Sequence, residues 1–468
     1  MENSILRIKR RSLAVALVLA LSTGTVAFAA SDSIIPPNLS TNSGANHMPP
    51  GPPPEGGMPG GAPGGQHKTA SDLSATVLVD GESQSLDRQV YASRITDESA
   101  VLVRGGGSLN LSNAELHKQG DSSSADASNF NGQNAVFLCA DNSTAHLSDI
   151  VLESDADGSN AIFSTGEKSV VTAEHIKIHT KNNSSRGLDA TYGGTIKATD
   201  VEIVTEGAHC GALATDRGEG NVLVSGANIK TSGEGSPCIY STGNIQLTNG
   251  VGEATGSEIA VVEGKNSITL NNADLTGHIK HGVMLYQSFS GDAGVGMAKF
   301  TANDSKLTNQ SPGPMFYVTN TTAEASLKNT QLVQAGGSKT FVQVTSDRWG
   351  VAEQNGGNFT LNAENQLLEG AVLANRISQV TLNLDDGAVF SGSANPDNQA
   401  DSMVVNLKSG ATWELTEDSY VTTLVDEDEN FNNIKSNGHN IYYSKAENSF
   451  GGKTIKLPGG GKLVAKLK

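Results

Sequence analysis

Asp189 and Asp216, with Arg186 and Arg217 close by, are the residues of this sequence best equipped for chemistry. Two carboxylates brought together can hold a cation or carry a proton, and a guanidinium beside them anchors or stabilises negative charge. The same residue types are also routine at solvated corners, and the Gly-rich turns around them fit that plainer reading. Tyr192, Tyr240, Tyr286 and Tyr317 form a second set, each falling in or just after a short β-like run. Pointing outward, they would line one face and dock a glycan; pointing inward, they would be core. Metal chemistry has weaker support. His175 and His179 are four apart, a spacing that converges on a helix but not in a strand and turn. His209 beside Cys210 is isolated. Asp141, Asp149, Asp200 and Asp274 would suit calcium if they stacked along one ridge, and would otherwise form a solvated acidic face. No phosphate-cradling loop and no Ser-His-Asp grouping can be read from spacing.

The elements that must position these residues recur with a period of about 21–26 residues, which is solenoid spacing. Units open at Ala135-Val136-Phe137-Leu138, Ala161-Ile162-Phe163, Gly187-Leu188-Asp189, Gly211-Ala212-Leu213 and Pro237-Cys238-Ile239. The series continues at Ile259-Ala260-Val261, Gly282-Val283-Met284 and, after the insertion Gln287 to Ala298, at Met315-Phe316-Tyr317 and Phe341-Val342-Gln343. Behind each opening run lies a turn and an alternating run such as Thr195-Ile196-Lys197-Ala198. A polar corner and a third run such as Asp200-Val201-Glu202-Ile203 follow. Asn, Asp and Gly corners tolerate left-handed backbone angles, so the unit reads as one coil of a three-faced β-helix.

The fold class expected is therefore all-β: a right-handed, single-stranded parallel β-helix with three strands per coil. Composition agrees. Aromatic residues make up 5 % and charged residues 17 %, with 53 glycines and many Asn, Ser and Thr, which suits a thin aliphatic core. Leucine-rich repeats would need their L-x-x-L-x-L signature, and propellers a longer unit. The register sets Cys238 level with Ala212, which leaves Cys210 and Cys238 about 8 Å apart, beyond disulfide reach. Cys139, Cys210 and Cys238 are expected to be free, buried thiols.

The flanks differ. Residues 1–29 read as a cleaved signal peptide: Arg7, Lys9, Arg10 and Arg11, an apolar run from Leu13 to Leu21, and Ala27-Phe28-Ala29 before the cut. Residues 30–72 are a Pro/Gly-rich tether, 73–445 the β-helix and 446–468 a basic tail or cap. The net charge of −17 becomes −20 without the leader, which disfavours nucleic acid and anionic lipid as partners. No later segment is apolar and long enough for a membrane helix. A secreted or cell-surface location follows.

The stretches Glu263-Gly264-Lys265-Asn266-Ser267-Ile268, Val283-Met284-Leu285-Tyr286-Gln287-Ser288, Met315-Phe316-Tyr317-Val318-Thr319 and Trp413-Glu414-Leu415-Thr416 resemble adhesin-like bacterial cell-surface β-strand-repeat proteins. That family has a pectin-lyase-like right-handed β-helix. The resemblance spans most of residues 75–445 and implies no established reaction. Some pectin-lyase-like relatives cleave polysaccharide and others bind glycans, in some cases with calcium. A pectate lyase needs carboxylates stacked for calcium and an arginine base, for which Asp189, Asp216 and Arg217 are the candidates. Of the polygalacturonase elements only the fragments Asp385-Asp386 and His281-Gly282 are present. The function expected is polysaccharide binding at Tyr192, Tyr240, Tyr286 and Tyr317 without catalysis and without a required cofactor, calcium being the one candidate. A polysaccharide lyase or hydrolase and a ligand-free envelope protein are the alternatives.

Overall fold

A computed structural model describes residues 69–466. They form a parallel β-solenoid of about 16 turns, wound right-handed as connections between parallel strands of one sheet nearly always are. The expected leader, and the expected tether up to residue 68, lie outside the described residues. The tether's last residues, Ala70–Asp72, make a single 3-10 turn.

A typical turn opens with a short strand and continues into a long one. Phe137–Ala140 leads to Thr144–Ser154, Ile162–Thr165 to Val170–Thr180 and Leu188–Thr191 to Thr195–Thr205. The opening strands stack into one 12-stranded parallel sheet running from Ser74–Asp80 to Ala371–Ala374. The sequence repeat is the stagger of this sheet: Ile162 pairs with Leu188, Leu188 with Leu213, and Ile239 with Ala260. Even the long connection after Tyr286 returns in register, Val283 pairing with Phe316.

The second and third runs of these turns are a single strand of 11 residues bent at its middle. The bend needs a left-handed residue, where an ordinary side chain crowds the next carbonyl and Asn, Asp or Gly is best tolerated. At Asn113, Asp149, His175, Asp200, Gly226, Asn249, Asn272, Asp304, Asn329 and Asn365, φ lies between 46° and 78°. These corner residues also bond along the ridge. Asn272 Nδ2 donates to Asn249 Oδ1 at 2.7 Å, and Asn329 Nδ2 to Asp304 Oδ1 at 2.6 Å. Asp149 and Asp200 stand on this ridge with His175 between them, at 3.4 and 4.0 Å. Asp141 lies at another turn, and Asp274, past the corner, pairs with Lys306 at 3.2 Å. Among the described residues no three His, Cys, Asp or Glu side chains are grouped so as to hold a metal.

Inside, like positions stack on like. Ile196, Val222, Ile245, Ile268 and Phe300 form one buried column in direct register. Each turn thus covers its neighbour's aliphatic surface, at about 25 cal/mol per Å² removed from water. Cys139, Cys210 and Cys238 are free and buried. Burial pushes each thiol up to about 12, so all three are inert core residues. At the far end the basic segment folds as a hairpin. Ile455–Lys456 pairs with Lys462–Lys466, which in turn pairs with Ile441–Ser444.

One element departs from the β pattern. Ala125–Asn131 is a short α-helix, capped by the Ser124 hydroxyl accepting from Ala127 N at 3.2 Å and ended by Gly132 at φ 73°. A side chain at Gly132 would strike Leu138 and Phe163, which places this end of the helix hard against the outer face of the 12-stranded sheet.

Candidate functional site

The outer face of that sheet and its margins carry the Asp–Arg cluster and the four tyrosines singled out for chemistry. Leu102, Leu138, Phe163 and Asp189 stand in direct register on four successive strands. The column continues through Ala214, Tyr240, Val261, Met284, Tyr317, Gln343 and Leu373. Strand alternation turns these side chains away from the aliphatic core. They are nevertheless covered for most of the column's length, because the helix and two loops fold over the face.

Asp189, Asp216 and Arg186 meet under the helix. Arg186 Nη1 lies 3.2 Å from Asp189 Oδ2 and donates to Asn129 Oδ1 at 2.9 Å, while Nη2 lies 2.9 Å from Asp216 Oδ2. Asp189 is 0 %, Asp216 4 % and Arg186 8 % exposed, so substrate has no path to them. Burial raises the Asp189 carboxyl to about 6 against the pull of Arg186, and raises Asp216 well above the carboxylate range. Burial works against the charge of Arg186, and the two carboxylates more than offset it. Asp189 Oδ1 has no partner. The cluster is two acids sharing one guanidinium.

Arg217 faces a different partner. Its Nε and Nη2 donate to Asp292 Oδ1 at 2.9 and 2.6 Å, and its guanidinium lies 3.8 Å over the Phe130 ring. Asp292 belongs to the 287–298 insertion, which folds back over the sheet. Tyr192, partly exposed and left-handed at φ 48°, sits beside Arg217, whose carbonyl accepts from Tyr192 N at 3.0 Å.

Tyr240 and Tyr286 point outward and are held by Glu263. Their hydroxyls donate to Glu263 Oε2 at 2.6 and 2.8 Å, and Ser288 of the insertion donates to Oε1. The Tyr286 ring packs 5.5 Å from Trp349, which is itself buried. Tyr317 is buried too, its hydroxyl on Asp347 Oδ2 at 2.9 Å and its ring stacked 4.0 Å from His281. Three of the four tyrosines are thus engaged beneath loops and do not form an open row; the residues that cover them come from segments distant in sequence.

Past Tyr317 the face opens. Gln343 and Leu373 floor a groove of about 330 Å³. Its sides are Ser346, Asn375, the Arg376–Glu353 pair at 2.9 Å, and Asp397 and Gln399. Asn375 is fixed by donating to Ser346 Oγ at 2.9 Å, and Gln399 by its backbone donating to Asn395 Oδ1 at 2.8 Å. None of these groove residues stands out in the sequence. The available signal was positional, since Gln343 occupies the outward place one turn beyond Tyr317.

The buried cluster makes stability depend on pH. Asp189 titrates near 6 in the folded chain and near 4 when unfolded. Its contribution is therefore complete below about pH 4 and is lost as pH rises through about 6. Asp189→Asn removes that loss while leaving Arg186 paired with Asp216. The variant is expected to be more stable than the parent by about 2 kcal/mol at pH 8, with the gain vanishing near pH 4. Urea melts at the two pH values check this; a variant equally stabilised at both would contradict it.

No family model, no curated protein and no solved structure matches the chain.

Proposed function

We propose that this protein is an exported, surface-displayed rod that binds polysaccharide without cleaving it, in the manner of an adhesin-like pectin-lyase-type β-helix. The observation that carries this reading is the change along one outer face, from a sealed seam to the open groove at Gln343 and Leu373. Sugars present apolar C–H faces and paired hydroxyls. An aliphatic floor with amide, carboxylate and guanidinium edges matches both. The enclosure of Asp189, Asp216 and Arg186 supports binding over turnover, because a catalytic group must touch its substrate. Export and display rest on the leader and tether in the sequence.

A polysaccharide-cleaving enzyme is the second reading. What favours it is the Asp189 carboxyl, raised to about 6, one turn from Arg217. It requires both the helix Ala125–Asn131 and the 287–298 insertion to lift. One experiment separates the two. The protein is applied to a glycan array with and without calcium while ultraviolet absorbance reports unsaturated product. Retention without product is expected, and Gln343→Ala with Arg376→Ala should weaken binding roughly tenfold, about 1.4 kcal/mol. Product release, lost in Asp216→Asn, would replace binding by catalysis. Neither retention nor product with any glycan would sink both.

A further inference from the structure

The two ends of the solenoid are finished differently. Among the described residues the first turn, Ser74–Asp80, Ser83–Asp87 and Val90–Ser93, pairs only with the turn after it. Its inward residues Val77, Leu86 and Tyr91 remain partly exposed, whereas Val101, Leu111 and Leu116 one turn on are buried. Leu78, Val90 and Ile95 are 40 %, 67 % and 61 % exposed. A stack of repeats needs a polar cover on its terminal unit, and unpaired strands template the addition of another chain. Among the described residues nothing supplies that cover here.

At the opposite end the last hairpin is basic on an otherwise acidic chain, although the acidic run Asp426-Glu427-Asp428-Glu429 leaves the neighbouring strand Thr423–Asp426. Lys445, Lys453, Lys456, Lys462 and Lys466 face only Glu447 within the last segment, against a net charge of −17 for the whole. Around the open first turn, Asp72, Asp80, Glu82 and Asp87 outnumber Arg88 and Arg94. The two ends also belong to one continuous face. Val372 bridges to Ala394, Ala394 O accepts from Tyr420 N, and Tyr420 pairs with Tyr442, itself paired with Val464. Beyond Leu463 the final strand has a neighbour on one side only among the described residues.

We propose that copies of this chain associate head to tail, the basic C-terminal hairpin of one seated on the open, acid-rimmed first turn of the next. Such a contact is heterologous: each pair keeps one unused head and one unused tail, so rods lengthen rather than close into pairs. Opposite charge brings the ends together and the exposed Leu78 and Val90 are covered on contact.

Sedimentation of the purified full chain tests this. At low salt, species larger than a monomer should grow with concentration, and raising salt to about 0.5 M should weaken association roughly tenfold through screening. Two variants locate the contact: Lys453→Glu, Lys456→Glu, Lys462→Glu in one chain, and Leu78→Asp, Val90→Asp in another. All five positions are exposed, and unchanged melting curves would show that both variants fold. Each alone should be monomeric, yet an equimolar mixture should form a dimer and nothing longer, since only one intact head and one intact tail remain. Self-association of the lysine variant would mean head-to-head pairing and overturn the proposal. A parent chain that stays monomeric at every concentration would also overturn it, leaving that end to solvent or to the chain's own residues before Thr69.

Discussion

Arg186→Met is expected to destabilise the fold by about 3–5 kcal/mol, because it leaves two enclosed carboxylates without a countercharge. The guanidinium is the shared partner of Asp189 and Asp216, 3.2 and 2.9 Å away, and it also ties Asn129 of the overlying helix to the sheet. Methionine fills similar volume, so the loss measures charge and hydrogen bonding more than packing. Both carboxyls are already raised by burial with the arginine present. Without it they rise further, the folded protein takes up protons, and the deficit should shrink as pH falls from 8 towards about 6, where Asp189 of the parent is itself protonated. Urea denaturation at pH 8 and pH 4.5 reads both effects. A loss below about 1 kcal/mol at pH 8 would mean that water reaches the cluster.

The second large effect lies inside the rod. Phe316→Ala should remove about 3–5 kcal/mol, the usual range for emptying a buried aromatic site. Phe316 is fully buried, with ring centres of Phe300, Phe341 and Phe359 at 5.9, 5.7 and 6.2 Å. Phe300 belongs to the preceding turn and Phe341 and Phe359 to the following one, and Phe300 and Phe359 are held in their own columns by Ile268, Ala325, Ala323 and Val380. The hole therefore closes poorly. In a stack of repeats, stability is a sum over turns and their interfaces, so the damage should be local. Hydrogen exchange should accelerate in the turns around Phe316 while those around Ile196 and Val222 stay protected. Phe316→Leu, which keeps most of the volume, should cost less than half as much. Uniform loss of protection along the chain would contradict this account.

Much of the fold was legible because its rules are local. Every opening run read from the sequence between Ala135 and Val344 coincides with a strand of the 12-stranded sheet, from Phe137–Ala140 to Thr340–Val344. Alternation and the Asn, Asp and Gly corners act over a few residues and repeat, so period alone reveals them. The meeting of Asp189 with Asp216 and Arg186 was within reach for the same reason, since neighbouring turns set it. What lies over the sheet was not. Asp292 reaches Arg217 across 75 residues of sequence. The helix Ala125–Asn131 interrupts the repeat with only Ser124 and Gly132 to mark it. Trp349 closes over Tyr286 from a loop two turns away. For Tyr240, Tyr286 and Tyr317 the sequence left inward and outward placement open, and their cover could not be read at all, because cover is made by insertions that obey no period.

The corner ridge from Asn113 to Asn365 has an evolutionary corollary. Each turn satisfies its bend with one residue of its own and borrows nothing from distant turns to do so. Copying or deleting a whole turn at the gene level preserves every bend, every column and every pairing partner type on either side of the splice. Length is thus the cheapest property of this molecule to alter. Lineages of such chains should differ by whole turns far more readily than by fractions of one, with the helix-covered stretch around Asp189 as the segment that resists.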